Sequence, residues 1–412
     1  MAHSHAVDSL LDSLGRGRID VACATDIARA ILGDGVQNES VQKLASLGAY
    51  GKSQSNSERD LHCWMNCLGL RLQPYRVWLD LKVNGIKEKR VAASMLLPHE
   101  VIHALATCDA GACFQSIFFG ALGPADVSRF WEHCKRLDPW KDHEVLQNPH
   151  QDLSKLIAIQ IHGDGAEFFR DDECFAYSWS SVFGAKGGLI SDTFLNRFPL
   201  LYIHERHMQQ PEVKRQVNKQ VSELVAWSLK HAASGLAPTE GFYGEGFQRN
   251  TWRSEMAGKR LSNGFTAAYF CWKCDLKARH ETQNFKNWYQ CTKLCDLCFA
   301  EKPSKKGNPR MNYKDMSQNP AYKFAKMDHI TYMRTQVVSE WSVVQGWTLH
   351  TCVFDTMHNL YLGSGRDYVA CAVRVLVEKG CFDSYGVPRD SDDMFARITM
   401  EVHEDFKKHK LL

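Results

Sequence analysis

The sequence has no run of about 18 consecutive apolar residues, the length that a membrane-spanning helix requires. Its opening, MAHSHAVDSLLDSLGRGRID, lacks the basic segment and apolar stretch of a secretory leader. These absences predict a protein that is neither membrane-embedded nor secreted, residing in the nucleus or cytoplasm. Charge of one sign is also scarce: 50 Lys and Arg stand against 47 Asp and Glu, a net charge of +3. That balance excludes a generally basic polyanion binder and leaves room only for local basic patches. No internal repeat and no long low-complexity tract occurs, which excludes a repeat architecture. What is present is ordinary for a soluble globular chain: 44% hydrophobic and 24% charged residues over 412 positions, enough for two or three domains. Fifteen cysteines without a leader point to reduced thiols, a subset of them holding metal.

The patterning divides the chain into five stretches. Residues 1–60 read as a polar N-terminal segment, with GAYGKSQSNSERD (48–60) as a linker. Residues 61–150 read as a helical region, in which PHEVIHALATC and PADVSRFWEHCKRL each open with a proline suited to a first helical turn. Residues 151–300 hold the strands. KLIAIQIH, ECFAYSWSSVFGA and PLLYIHE come in turn, then a long amphipathic helix over 211–235, then GFTAAYFCWKCD. EKPSKKGNPR (301–310) reads as a Pro/Gly/Lys-rich linker that opens a connecting segment to 354, and 355–412 reads as a shortened C-terminal helical region.

Strand, strand, strand, helix, strand is the opening order of an RNase H-like fold. The expected class is therefore α/β: an RNase H-like mixed sheet with helical regions on both sides and a cysteine-rich insertion. In that reading Asp164, inside HGDG, and Asp275, after FCWKC, close the first and fourth core strands. Two carboxylates on rigid strand ends suit a pair of hard divalent cations, Mg²⁺ or Mn²⁺, bridging a phosphodiester. The flanking Gly163 and Gly165 would admit a phosphate; the plain alternative for Asp-Gly is a tight turn.

Several blocks occur in a recognisable order. IQIHGDGAEFFRDDECFAYSWSSVFG, CWKCDLKARHETQNF with CTKLCDLC, and FDTMHNLYLGSGRDYV are preceded by LPHEVIHALA and FWEHC. Together, over roughly residues 95–380, this set resembles the CACTA-like DDE transposases and their domesticated relatives. The resemblance implies metal-dependent DNA strand cleavage and transfer, with Asp164 as first acid and Asp275 as second. The family's third acid lies well beyond the Asp-x-Met-His block, and no such block is recognisable here. Asp355 is the substitute candidate, with His358 one turn on; the competing readings are a helix cap for Asp355 and a packed core histidine for His358. The implied partner is DNA, with a homo-oligomer left open. The alternative is a non-catalytic nucleic-acid- or protein-binding relic.

Cys271-x2-Cys274 and Cys295-x2-Cys298 give C-x2-C-x20-C-x2-C, close to structural-zinc spacing. A regular strand would point Cys271 and Cys274 to opposite faces. The favoured zinc ligands are therefore Cys291, Cys295 and Cys298, with His280 or Cys274 as the fourth, against an alternative of buried free thiols. Lys302, Lys305, Lys306 and Arg310 form a basic loop suited to phosphate contact or, more plainly, to a solvated linker. HEVIH (99–103) matches the H-E-x-x-H helix of zinc proteases, a third reading. Pro98 and the lack of a clear third ligand favour a structural helix there.

Overall fold

The computed structural model describes every residue except 1–4, 16–17, 50–55, 68–71, 73, 84–86, 109–110, 170–171, 185–195, 287–290, 304–306, 308, 316, 356–364, 380–392, 394–395 and 401–412. The chain divides into two compact units, one of Met1–Lys273 with Lys277–Cys352, the other of Cys274–Leu276 with Val353–Leu412. Among the described residues no helix is long and apolar enough to cross a membrane.

The architecture is mixed α/β. Among the described residues the strands are β1 (Tyr75–Val83), β2 (Lys87–Met95), β3 (Leu156–Phe169), β4 (Asp172–Ser181), β5 (Phe198–His204), β6 (Thr266–Cys274) and β7 (Cys352–Phe354). β1 and β2 form an antiparallel ribbon, and the other five form one sheet in the order β5-β4-β3-β6-β7. β4 pairs antiparallel with both β3 and β5, whereas β6 runs parallel to β3. Leu156, Ile157, Ala158 and Ile159 are consecutive and all fully buried. An unbroken apolar run of this kind belongs to a strand covered on both faces, and β3 is the centre of the sheet.

The long helix Pro211–Ser234 joins β5 to β6. Proline begins it, and Gly235 ends it at φ 66°, a left-handed position that suits glycine. Val213, Val217, Val221, Leu224, Val225 and Leu229 form its buried stripe. Its Asn218 accepts the Tyr177 hydroxyl of β4 at 2.6 Å and donates to the Glu281 carbonyl at 3.2 Å, tying sheet, long helix and the Leu276–Gln283 helix together.

Three stretches differ from their sequence expectations. Residues 1–60 are not a loose polar segment: helices His5–Gly15, Val21–Gly33, Glu39–Ala45 and Ser57–Cys67 share an apolar cluster of Val7, Val21, Ala28, Val41, Leu44, Leu61 and Trp64. These helices bury their apolar residues in one shared core that no single helix forms alone. The span 61–150 holds its helices but also the β1–β2 ribbon. The span 301–354 is more than a connector. Glu301 bridges Lys293 and Asn312, Trp341 is fully buried, and its ring lies 4.0 Å from that of Trp272. Its Pro/Gly/Lys-rich composition reflects local turns, while a few tryptophans anchor it.

Candidate functional site: carboxylates, thiols and a basic loop

Asp164 does not end its strand. β3 continues to Phe169, and Asp164 pairs with Ala176 of β4. The HGDG stretch is therefore extended backbone, which overturns the tight-turn reading. Its glycines have separate causes. A Cβ on Gly163 would stand 2.8 Å from the Trp272 ring and 3.5 Å from Phe175, so the core closes over that position. A Cβ on Gly165 would meet Glu173 Oε2 at 3.6 Å, an ordinary contact. Gly163 is thus small for the sake of an indole rather than a phosphate. Paired strand residues share a face. Asp164, Ala176, His162 and Ser178 accordingly lie on one side of the sheet, and Gly163, Tyr177 and Trp272 on the other.

β3 and β6 are in register as far as His162 opposite Lys273. Asp164 follows His162 by two residues, and Asp275 follows Lys273 by two. Both acids are half-buried. In the second unit, Asp355 directly follows β7 and is 5% exposed; its amide donates to the Cys274 carbonyl at 2.9 Å, beside Asp275. Asp355 is thus placed by a strand end and not within a helix. His358 lies outside the described residues.

Sequence reasoning missed a charged cluster on β4 and its neighbours. Glu173 and Glu205 share a hydrogen bond, which lowers the Glu173 pKa and raises that of Glu205, with burial adding to the latter. Lys214 reaches Glu281 at 3.2 Å and Glu205 at 3.7 Å, and Lys277 reaches Glu173 at 3.6 Å. Burial opposes the charge on Lys277, but Glu281, Glu173 and Glu205 outweigh it and raise its pKa. Glu173 stands within DDECF, and only strand pairing could have revealed its company.

The cysteine segment contains one close pair. The Cys298 thiol hydrogen-bonds to Cys295, and the Leu297 amide donates to Cys295 Sγ at 3.3 Å. With Arg279 nearby, these donors outweigh burial and bring Cys295 down to about 6, while Cys298 is raised. These donors favour the Cys295 thiolate, the form that ligates metal. His280 Nδ1 lies 2.7 Å from the Phe285 carbonyl, the arrangement that leaves Nε2 as the ligating nitrogen. Cys291 donates instead to the Lys286 carbonyl at 3.4 Å, and Cys274, in the second unit, is fully buried. Among the described residues no three His, Cys, Asp or Glu side chains gather in a metal-holding group.

In the basic loop, the Lys302 amide donates to Thr292 at 2.8 Å and Arg310 is exposed; Lys305 and Lys306 lie outside the described residues. The H-E-x-x-H residues occupy helix Pro98–Thr107 and all three are buried. Ser228 Oγ is 2.8 Å from His99 Nδ1, the Ser262 amide donates to His103 Nδ1, and Arg253 grips both oxygens of Glu100 at 2.6 and 2.8 Å. Each member has a structural partner, and Glu100 is not available as a base. No family model matches the chain, and no curated protein and no solved structure matches it.

Proposed function

We propose that this chain descends from a DDE-type transposase and that its ancestral chemistry is metal-dependent phosphodiester cleavage, with Asp164 and Asp275 as the cation-holding acids. The observation that carries the reading is the order β5-β4-β3-β6-β7, with a three-strand antiparallel meander, a long helix, and then β6 laid parallel beside β3. That is the order of an RNase H-like core, in which the acids ride on the first and fourth strands. Asp164 lies on the first of these strands, and Asp275 directly follows the fourth. Asp355, following the next strand, is the third acid in this reading. A divalent pair held by such acids would supply charge neutralisation at phosphorus. The close Cys295–Cys298 pair is what supports a structural zinc in this reading, and the expected partner is DNA.

The burial of Asp355 favours the non-catalytic form of the reading, since a carboxylate this enclosed reaches a hydrated cation poorly. The expected result is weak Mn²⁺ binding that Asp164→Asn and Asp275→Asn each abolish, with little or no nicking of labelled duplex DNA. Retention of Mn²⁺ binding in both variants would sink the carboxylate assignment. Strong nicking lost in Asp164→Asn and Asp355→Asn would instead establish a working enzyme.

A further inference from the structure

The β1–β2 ribbon has two unlike faces. Tyr75, Val77, Leu79 and Leu81 point inward and are buried. Tyr75 packs its ring 5.8 Å from Trp227 of the long helix. The outward face carries Arg76 opposite Ser94, Trp78 opposite Ala92, and Asp80 opposite Arg90. Trp78 is 36% exposed, and its direct cross-strand neighbour is small, so part of the indole stays open to solvent. Arg90 lies with its guanidinium 5.9 Å from the Trp78 ring centre. A second aromatic joins from another part of the chain: the Trp78 amide donates to the Tyr243 hydroxyl at 3.0 Å, and Tyr243 is 44% exposed.

The nearby acids make no direct ion pair with these arginines. Asp80 accepts from the Gln220 side chain at 2.7 Å, and Glu245 accepts from the Tyr75 hydroxyl at 2.6 Å and the Tyr243 amide at 2.9 Å. Both carboxylates are thus taken up by neutral donors. Among the described residues neither Arg76 nor Arg90 has a carboxylate partner, and both are exposed. A part-exposed indole beside two guanidiniums that make no direct ion pair matches one chemistry well. Guanidiniums suit phosphates, and an aromatic ring suits any base that offers a free face. In a duplex the base faces are already stacked on one another, so only an unpaired strand offers one.

We propose that this outward face binds single-stranded DNA, with a base stacked on Trp78, Tyr243 beside it, and phosphates on Arg76 and Arg90. The inference rests on the reading above only in taking DNA as the partner; it uses none of the carboxylates. The test is fluorescence anisotropy of labelled oligo(dT), and of a duplex of equal length, with the full chain. The expected result is a preference for oligo(dT), weakened about tenfold by Trp78→Ala and largely kept by Trp78→Phe. Arg76→Ala with Arg90→Ala weakens it too and flattens its salt dependence. Thermal unfolding checks that each variant keeps its fold, which the exposure of these positions favours. Wild-type affinity in Trp78→Ala, tighter binding of the duplex, or no binding of oligo(dT) overturns the proposal. The binding assay is run without divalent cation and reads no cleavage, so a failed cleavage assay and a failed docking surface remain separate results.

Discussion

A methyl group on Gly163 would have to displace the edge of an indole that is itself fully buried. Trp272 has little freedom to yield, since Trp341 and Tyr177 hold it from other sides. Gly163→Ala is therefore expected to destabilise by roughly 1–3 kcal/mol through overpacking. Gly165→Ala, on the same face but at an exposed position with an ordinary contact, is expected to be neutral or to stabilise by about 0.4–1 kcal/mol through a stiffer unfolded chain. Urea unfolding of the two variants decides it; equal effects would show that Trp272 is not the reason for the first glycine. The motif around Asp164 was visible in the sequence, but the reason for its glycine was not. The ring that demands it arrives from β6, and nothing in HGDG announces that partner. The Cys295–Cys298 pair is the opposite case, because a two-residue spacing places both thiols on one turn whatever the rest of the chain does.

Elements with strong local signals were legible, and those made by long-range pairing were not. The long helix declares itself through its proline, its stripe of valines and its terminal glycine. β3, β4, β5 and β6 declare themselves through apolar and β-branched runs, although β3 was expected to stop before Asp164. The β1–β2 ribbon was missed although YRVWLDLKV alternates, because its partner strand KEKRVAASM carries almost no large apolar residue to announce a pair. Helix Pro98–Thr107 shows how a local motif can mislead at this scale. Its H-E-x-x-H pattern comes from buried side chains that clamp neighbouring elements: His99 to the long helix and Glu100 to Arg253. Arg253 also lies 5.2 Å over the Tyr75 ring, so it closes the base of the ribbon. Arg253→Ala would leave Glu100 buried without its cation and is expected to cost about 3–5 kcal/mol. Adding Glu100→Gln should recover part of that loss, as a double-mutant cycle in denaturant would show. No recovery would mean that Arg253 acts through Tyr75 alone.

Over the whole molecule, the strand order was readable because it follows from the succession of elements, whereas the shared helical core of the first residues emerges only from their assembly. Stability of the first unit carries a pH dependence set by enclosed imidazoles. Burial, followed by the charges of His231, Arg253 and His103, holds His99 well below its ordinary 6.5, and burial likewise depresses His103, His143 and His231. Near pH 6.5 and below, the unfolded chain takes up protons that the folded chain refuses. Their stabilising contribution is therefore complete above that value and declines as pH falls through it. The urea midpoint is expected to drop between roughly pH 7.5 and 5, and to drop less steeply in His99→Asn. A midpoint that holds level on acidification would show that these rings are solvated after all. The place of β3 has a consequence of another kind, for synthesis. Its partner β4 follows at once, but its partner β6 begins about a hundred residues after β3 ends. At ribosomal speeds of about 5–20 residues per second, that gap lasts on the order of ten seconds. For that interval the amides along Leu156–Ile159 face no strand of their own, and the segment that ends up most deeply enclosed is an open template for any other extended chain in the cell.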